Sequence, residues 1–178
     1  MTFNCLIAGV GGQGTVLASR LLAAAAMKRG YEVRTTETIG MAQRGGSVVS
    51  HVRAGGNIFS PLIPLGSADV LIGFEPTEAI RQLQYLKAGG KLITCDGAVE
   101  MTEFIKNNIP GAAIIPSAPI KKQYAKMLNV ALMGAAAQGG AFPFGADALL
   151  EAISEMPSYR EANMASFELG KKLYDENT

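Results

Sequence analysis

The chain has 178 residues, of which 48% are hydrophobic and 17% charged, and its formal net charge is +1. This composition is that of a chain that folds in water rather than of a disordered one, and the length suffices to bury a substantial core. The near-neutral balance, with both signs spread along the chain, argues against a nucleic-acid binder, which would show a basic face. No run approaches the ~18 apolar residues of a membrane span. Met1–Ala8 lacks the basic start and long apolar stretch of a secretory signal. The expectation is a cytoplasmic protein folded as one domain over residues 1–178.

In chain order, Phe3–Ala8 is an apolar strand. It runs into Gly9-Val10-Gly11-Gly12-Gln13-Gly14 and then an alanine-rich helix predicted from Gly14 to Arg29, with Gly30 as its C-terminal cap. Tyr31–Thr36 reads as a short strand and Ser47–Arg53 as a β-branched one, followed by a turn at Ala54–Asn57. Ala68–Phe74, with Val70-Leu71-Ile72 in one block, has the pattern of a strand buried on both faces. Pro76 suits the first turn of a helix whose Ala79, Ile80, Leu83 and Leu86 share a side, closed by Gly89-Gly90. Lys91–Cys95 and Ala112–Ile115 are further strands. Beyond Pro119 the spacing predicts three helices, Tyr124–Gln138, Ala146–Met156 and Tyr159–Tyr174. The alternation predicts an α/β, Rossmann-like fold: a mostly parallel sheet, flanking helices and a helical C-terminal segment.

Two glycine clusters carry the chemistry. Gly9, Gly11 and Gly14 satisfy G-x-G-x-x-G between a strand and a helix, where backbone N–H groups and the helix dipole suit an anion. Gly12 adds a further glycine, and Gln13 puts a side-chain amide in the turn. Gly45 and Gly46 leave the backbone bare beside Arg44, whose guanidinium fork fits a carboxylate or phosphate. A structural ion pair is the alternative for Arg44. Arg53 is expected to add positive charge at the same carboxyl edge of the sheet. The candidate cofactor-binding set is therefore Gly9, Gly11, Gly12, Gln13, Gly14, Arg44, Gly45 and Gly46.

Other chemistries lack their parts. A nicotinamide site needs an acidic residue ending the second strand, but Glu32 comes early and Glu37 is expected past the strand, in a loop. No Walker lysine follows the glycines, since Thr15 and Val16 stand there, and no Ser-His-Asp set exists around the lone His51. His51 reads as a structural histidine rather than a ligand. Cys5 and Cys95, the chain's two cysteines, fall in apolar strands and read as buried thiols, too few for a cluster or zinc site. No catalytic or metal-ligating residue is assigned. The loop Gly139–Gly145 carries Phe142 and Phe144, either tucked into the core or forming a docking patch.

Gly11-Gly12-Gln13-Gly14 before its alanine-rich helix, Gly30, and the run from Ala42 through Arg44-Gly45-Gly46-Ser47 to His51-Val52-Arg53 resemble the small (beta) subunits of indolepyruvate–ferredoxin oxidoreductases. The same module resembles the gamma subunit or domain of pyruvate, 2-oxoisovalerate and 2-oxoglutarate–ferredoxin oxidoreductases. The resemblance spans nearly the whole chain and is most specific over residues 9–53. Relatives acting on pyruvate and 2-oxoglutarate tend to carry an acidic residue two before the Arg-Gly-Gly. Met41-Ala42-Gln43 here favours the arylpyruvate branch. The resemblance implies a non-catalytic subunit of an enzyme that decarboxylates 2-oxo acids oxidatively, forms acyl-CoA and reduces ferredoxin. Thiamine diphosphate and iron–sulfur clusters are then expected on a large partner subunit, with a coenzyme A contact for this chain. The isolated chain would be inactive and open to self-association through its partner surface. The competing expectations are a gamma subunit acting on pyruvate or 2-oxoglutarate, a free-standing NAD(P)- or flavin-binding Rossmann oxidoreductase, and an interaction module alone.

Overall fold

The computed structural model describes residues 2–40 and 45–178. Strands β1 (Phe3–Val10), β2 (Glu32–Ile39), β3 (Ser47–Gly55), β4 (Ala68–Gly73), β5 (Leu86–Cys95) and β6 (Ala113–Ile115) form a sheet in the order β2-β3-β1-β4-β5-β6. β3 is antiparallel to both β1 and β2, while β4 is parallel to β1, β5 to β4 and β6 to β5. The α/β fold is thus as expected, with a mixed sheet in which only β3 runs against the rest.

Helices α1 (Thr15–Lys28), α2 (Pro76–Arg81), α3 (Val99–Asn108), α4 (Ser117–Gln123), α5 (Leu128–Gln138), α6 (Gly145–Ser154) and α7 (Arg160–Asn177) cover the two faces. Strand alternation sends Cys5 and Ile7 to one face, where they pack with α1, α5, α6 and α7. Leu6 and Ala8 go to the other, where Ile63, Ala79 of α2 and Ile105 of α3 meet them. Burying both faces explains why Val70, Leu71 and Ile72 form an unbroken apolar block. Charge pairs tie α1 to α6: Lys28 to Glu155 at 2.5 Å, and Arg29 to Glu151 at 2.8 Å.

Several boundaries differ from the sequence expectation. The second strand continues past Thr36 to Ile39, because its pairing with β3 persists to Ile39↔Val48. The helix at Pro76 stops at Arg81, a short 3-10 turn spans Leu83–Tyr85, and Leu86 opens β5. Gly89 and Gly90 lie within β5, where the register with β4 shifts between Ala68 and Val70. Two helices were not expected. α3 buries only Ile105, so it shows no apolar stripe, and α4 holds Pro119 within its first turn. The helix expected from Tyr124 begins at Leu128.

Candidate functional site

β1 ends at Val10 on the carboxyl edge of the parallel strands, and antiparallel β3 enters the sheet there, with Val10 paired to Ser47. The two glycine clusters, separate in sequence, therefore meet. Gly11 donates its N–H to the Gly46 carbonyl at 2.9 Å. Gln13 closes the first loop on itself: its Oε1 accepts from the Val10 N–H at 2.9 Å, and its own N–H reaches the Val10 carbonyl at 3.1 Å. The Gly11 N–H and the Gln13 amide oxygen thus hold the loop's shape. Gly9 is buried beneath that amide, while Gly11, Gly12 and Gly45 are exposed and Gly46 is half-buried. Arg44 lies outside the described residues.

Gly14 is the N-cap of α1 and sits in the left-handed region at φ 82°. No side chain caps this helix and no acidic residue occupies its first turn. The partial positive charge of the helix end is thus left uncompensated from within α1, a setting that suits an anion. Sequence reasoning missed Asn129, near the start of α5. It is 5% exposed and its Nδ2 donates to the Gly14 carbonyl at 3.4 Å. An Asn 115 positions away gives no local signal, and only packing of α5 against the loop reveals it.

Other expectations resolve differently. Arg53 is not at the carboxyl edge: because β3 is antiparallel, its end pairs with the start of β1, Arg53 opposite Asn4. Glu37 belongs to β2 rather than a loop, opposite Ser50, and accepts a hydrogen bond from Ser19 Oγ at 3.1 Å. β3 also separates β2 from β1, so the end of the second strand is not beside the glycine loop, where a ribose-binding carboxylate must sit. Phe142 and Phe144 are buried, their rings stacked at 5.5 Å, each meeting Phe3 edge-on. They are core residues, and the docking-patch alternative for them is set aside.

Both cysteines are buried thiols. Burial raises the Cys5 thiol far above its ordinary value, and burial beside Asp96 pushes Cys95 up to about 11. A cluster needs more thiolate ligands than the two cysteines of this chain, buried in separate strands, can supply, so its own residues do not fit an iron–sulfur centre.

His51 is 2% exposed; its Nδ1 accepts from the Ile63 N–H at 3.2 Å, and its ring meets Tyr85 edge-on. Burial lowers its pKa, so the neutral imidazole belongs to the fold. The lowered value makes its contribution to stability complete above the ordinary 6.5 and lost as pH falls from there through the folded-state value. A melting temperature that falls between pH 7 and pH 5 is expected, with the slope over that window reduced in His51→Gln. An equal slope in the variant would remove His51 from the account.

Among the described residues, no helix is long and apolar enough to cross a membrane. Comparison with known proteins matches residues 4–173 to the family described as pyruvate ferredoxin/flavodoxin oxidoreductase. The chain is 36% identical over 195 residues to the indolepyruvate oxidoreductase subunit IorB of Thermococcus kodakarensis, covering 98% of this chain and 96% of that protein. The fold is similar to pyruvate oxidoreductase subunit PORC of Thermotoga maritima, with a TM-score of 0.76 at 22% identity, covering 97% of this chain and 96% of that one. It is also similar to part of the 2-oxoglutarate:ferredoxin oxidoreductase of Magnetococcus marinus, solved with 2-oxoglutarate, coenzyme A and succinyl-CoA bound. There the TM-score is 0.77 at 23% identity, covering 99% of this chain and 32% of that longer one. With the family match running almost end to end, this chain belongs to the pyruvate ferredoxin/flavodoxin oxidoreductase family.

Proposed function

We propose that the chain is the small, non-catalytic subunit of a cytoplasmic 2-oxo-acid:ferredoxin oxidoreductase that converts aryl 2-oxo acids such as indolepyruvate to acyl-CoA. The observation that carries this reading is the end-to-end similarity to a curated indolepyruvate oxidoreductase subunit. A larger partner subunit holds thiamine diphosphate and the iron–sulfur clusters and delivers electrons to ferredoxin. The chain's two buried cysteines, Cys5 and Cys95, are too few to ligate a cluster, which supports that division.

Within the complex, this chain's part is to present an anion-binding edge. The uncapped start of α1 and the joined loops at Gly11 and Gly46 supply a backbone cradle. Arg44, next to Gly45 in the chain, is the candidate cation for a phosphate of coenzyme A. Coenzyme A is the bound thiol in the Magnetococcus enzyme of similar fold.

The test is reconstitution with the large subunit of the complex, assayed with indolepyruvate, phenylpyruvate, pyruvate and 2-oxoglutarate. Activity confined to the aryl acids is expected; a preference for pyruvate or 2-oxoglutarate would move the chain to the other branch. Losing one charged hydrogen bond costs about 1.5–3 kcal/mol. Arg44→Ala should therefore raise the KM for coenzyme A by roughly 10- to 100-fold. Unchanged Michaelis constants for coenzyme A and for the 2-oxo acid would eliminate Arg44 from the site.

A further inference from the structure

The segment between β3 and β4 carries no charged residue from Gly55 to Ser67, and it holds Phe59, Pro61, Leu62, Pro64 and Leu65 in water. Phe59 is 97% exposed, Leu65 63% and Leu62 53%. An unrestrained apolar segment would collapse onto the protein, so what keeps this one out is informative. Ile58 and Ile63 are buried as anchors. Arg53 reaches from β3 and donates through its guanidinium to the Ser60 carbonyl at 2.8 Å and the Leu62 carbonyl at 3.2 Å. Its Nε is fixed in turn by Asn4 Oδ1 at 2.9 Å. His51 accepts the Ile63 N–H, and Gly66 donates its N–H to the Gln84 carbonyl at 2.9 Å. The chain thus uses an arginine, its lone histidine and two prolines to fix a loop whose largest side chain touches water. That is the arrangement of a preorganised docking element, in which the ordering entropy of binding is lost on folding rather than on association.

From this geometry we infer that the Phe59–Leu65 loop is the anchor by which this chain docks on an uncharged, apolar face of the large subunit. The inference rests on the proposed function for the existence of that subunit. The loop by itself is too small to hold two copies of this chain together. Phe59 offers on the order of 200 Å², whereas a standard interface takes about 800 Å² from each side. The loop therefore acts as the aromatic centre of a wider contact. The lack of charge from Gly55 to Ser67 requires a partner face that is likewise uncharged, since a lone charge buried against the loop would go unpaired. Arg53 is a positioning residue for this loop.

The experiment measures association of the full chain with the large subunit by interferometry, alongside the melting temperature and solution mass of the chain alone. Phe59→Ser should weaken association by at least about 10-fold, the effect of losing an aromatic hot spot, and leave the melting temperature unchanged. Arg53→Met should weaken it as well while Phe59 remains in place. Should the wild-type chain form no complex, both this inference and the proposed function fall. A complex that Phe59→Ser joins as tightly as wild type overturns the docking loop alone. So does a self-associated chain that Phe59→Ser dissociates without changing its affinity for the large subunit, because the loop would then join two copies.

Discussion

Gly170→Ala should destabilise the protein by about 3 kcal/mol or more, although alanine is the better helix former. Propensity alone predicts a gain of about 1 kcal/mol from replacing a mid-helix glycine. Sterics act in the opposite direction. α7 crosses α5 so closely that a Cβ on Gly170 would lie 1.8 Å from the Ala131 carbonyl oxygen. A Cβ on Gly134 would lie 2.1 Å from the Phe167 carbonyl oxygen. The obstacles are backbone atoms, so no rotamer change relieves them and the helices must separate. Ser166 Oγ, which donates to the Met127 carbonyl at 2.9 Å across the same crossing, would be pulled from its partner. For a chain of this size the loss corresponds to a fall in melting temperature of roughly 6–12 °C, a large share of the 5–15 kcal/mol that holds a typical domain together. Gly134→Ala should do the same. Glu168→Ala, on the exposed side of α7, should change stability by less than about 0.5 kcal/mol. A melting temperature for Gly170→Ala at or above wild type would refute the close crossing.

Gly14→Ala should separate function from stability. At φ 82° an alanine is strained, which costs on the order of 1–3 kcal/mol. Its Cβ would also stand 2.3 Å from Asn129 Nδ2, so either the loop or the start of α5 must shift. The core beneath is untouched, and the chain should still fold with its melting temperature lowered. The cradle at the start of α1 would be displaced, and a shift on the order of 1 Å at a positioning element can cost about 100-fold in rate. In the reconstituted complex, turnover at subsaturating coenzyme A should drop at least 10-fold, by this positioning argument. Adding Asn129→Ala removes the collision but not the strain, so the double variant should recover part of the stability. Full activity in Gly14→Ala would mean that the loop touches no ligand. Equal melting temperatures for the single and double variants would mean that the Asn129 contact is not what opposes the new Cβ.

Legibility in the sequence followed locality. The strand at Phe3, the helix after Gly14, the strand at Val70-Leu71-Ile72 and the C-terminal helices were readable because periodicity and glycine caps are encoded within a few residues. α3 was hidden because it buries a single residue, and the length of the helix at Pro76 was overstated. There, Leu86 continues a helical stripe yet pairs with Ala68 as strand, since joining the sheet also satisfies its backbone. The two glycine clusters were visible as candidates, and the family resemblance rested on them. Their contact through Gly11 and Gly46 was not.

The sequence by itself determined the α/β class, the family and the residues from which an anion site could be built. These depend on local spacing and on side-chain chemistry. The tertiary structure alone decided the direction of β3, which no propensity encodes. That one reversal brings Gly46 to Gly11 and removes Arg53 to the far edge as the clamp of the Phe59 loop, while the strand order places β3 between β1 and the end of β2. Strand direction is set by which long-range pairing buries both faces of the sheet, and that is a property of the whole chain rather than of any segment.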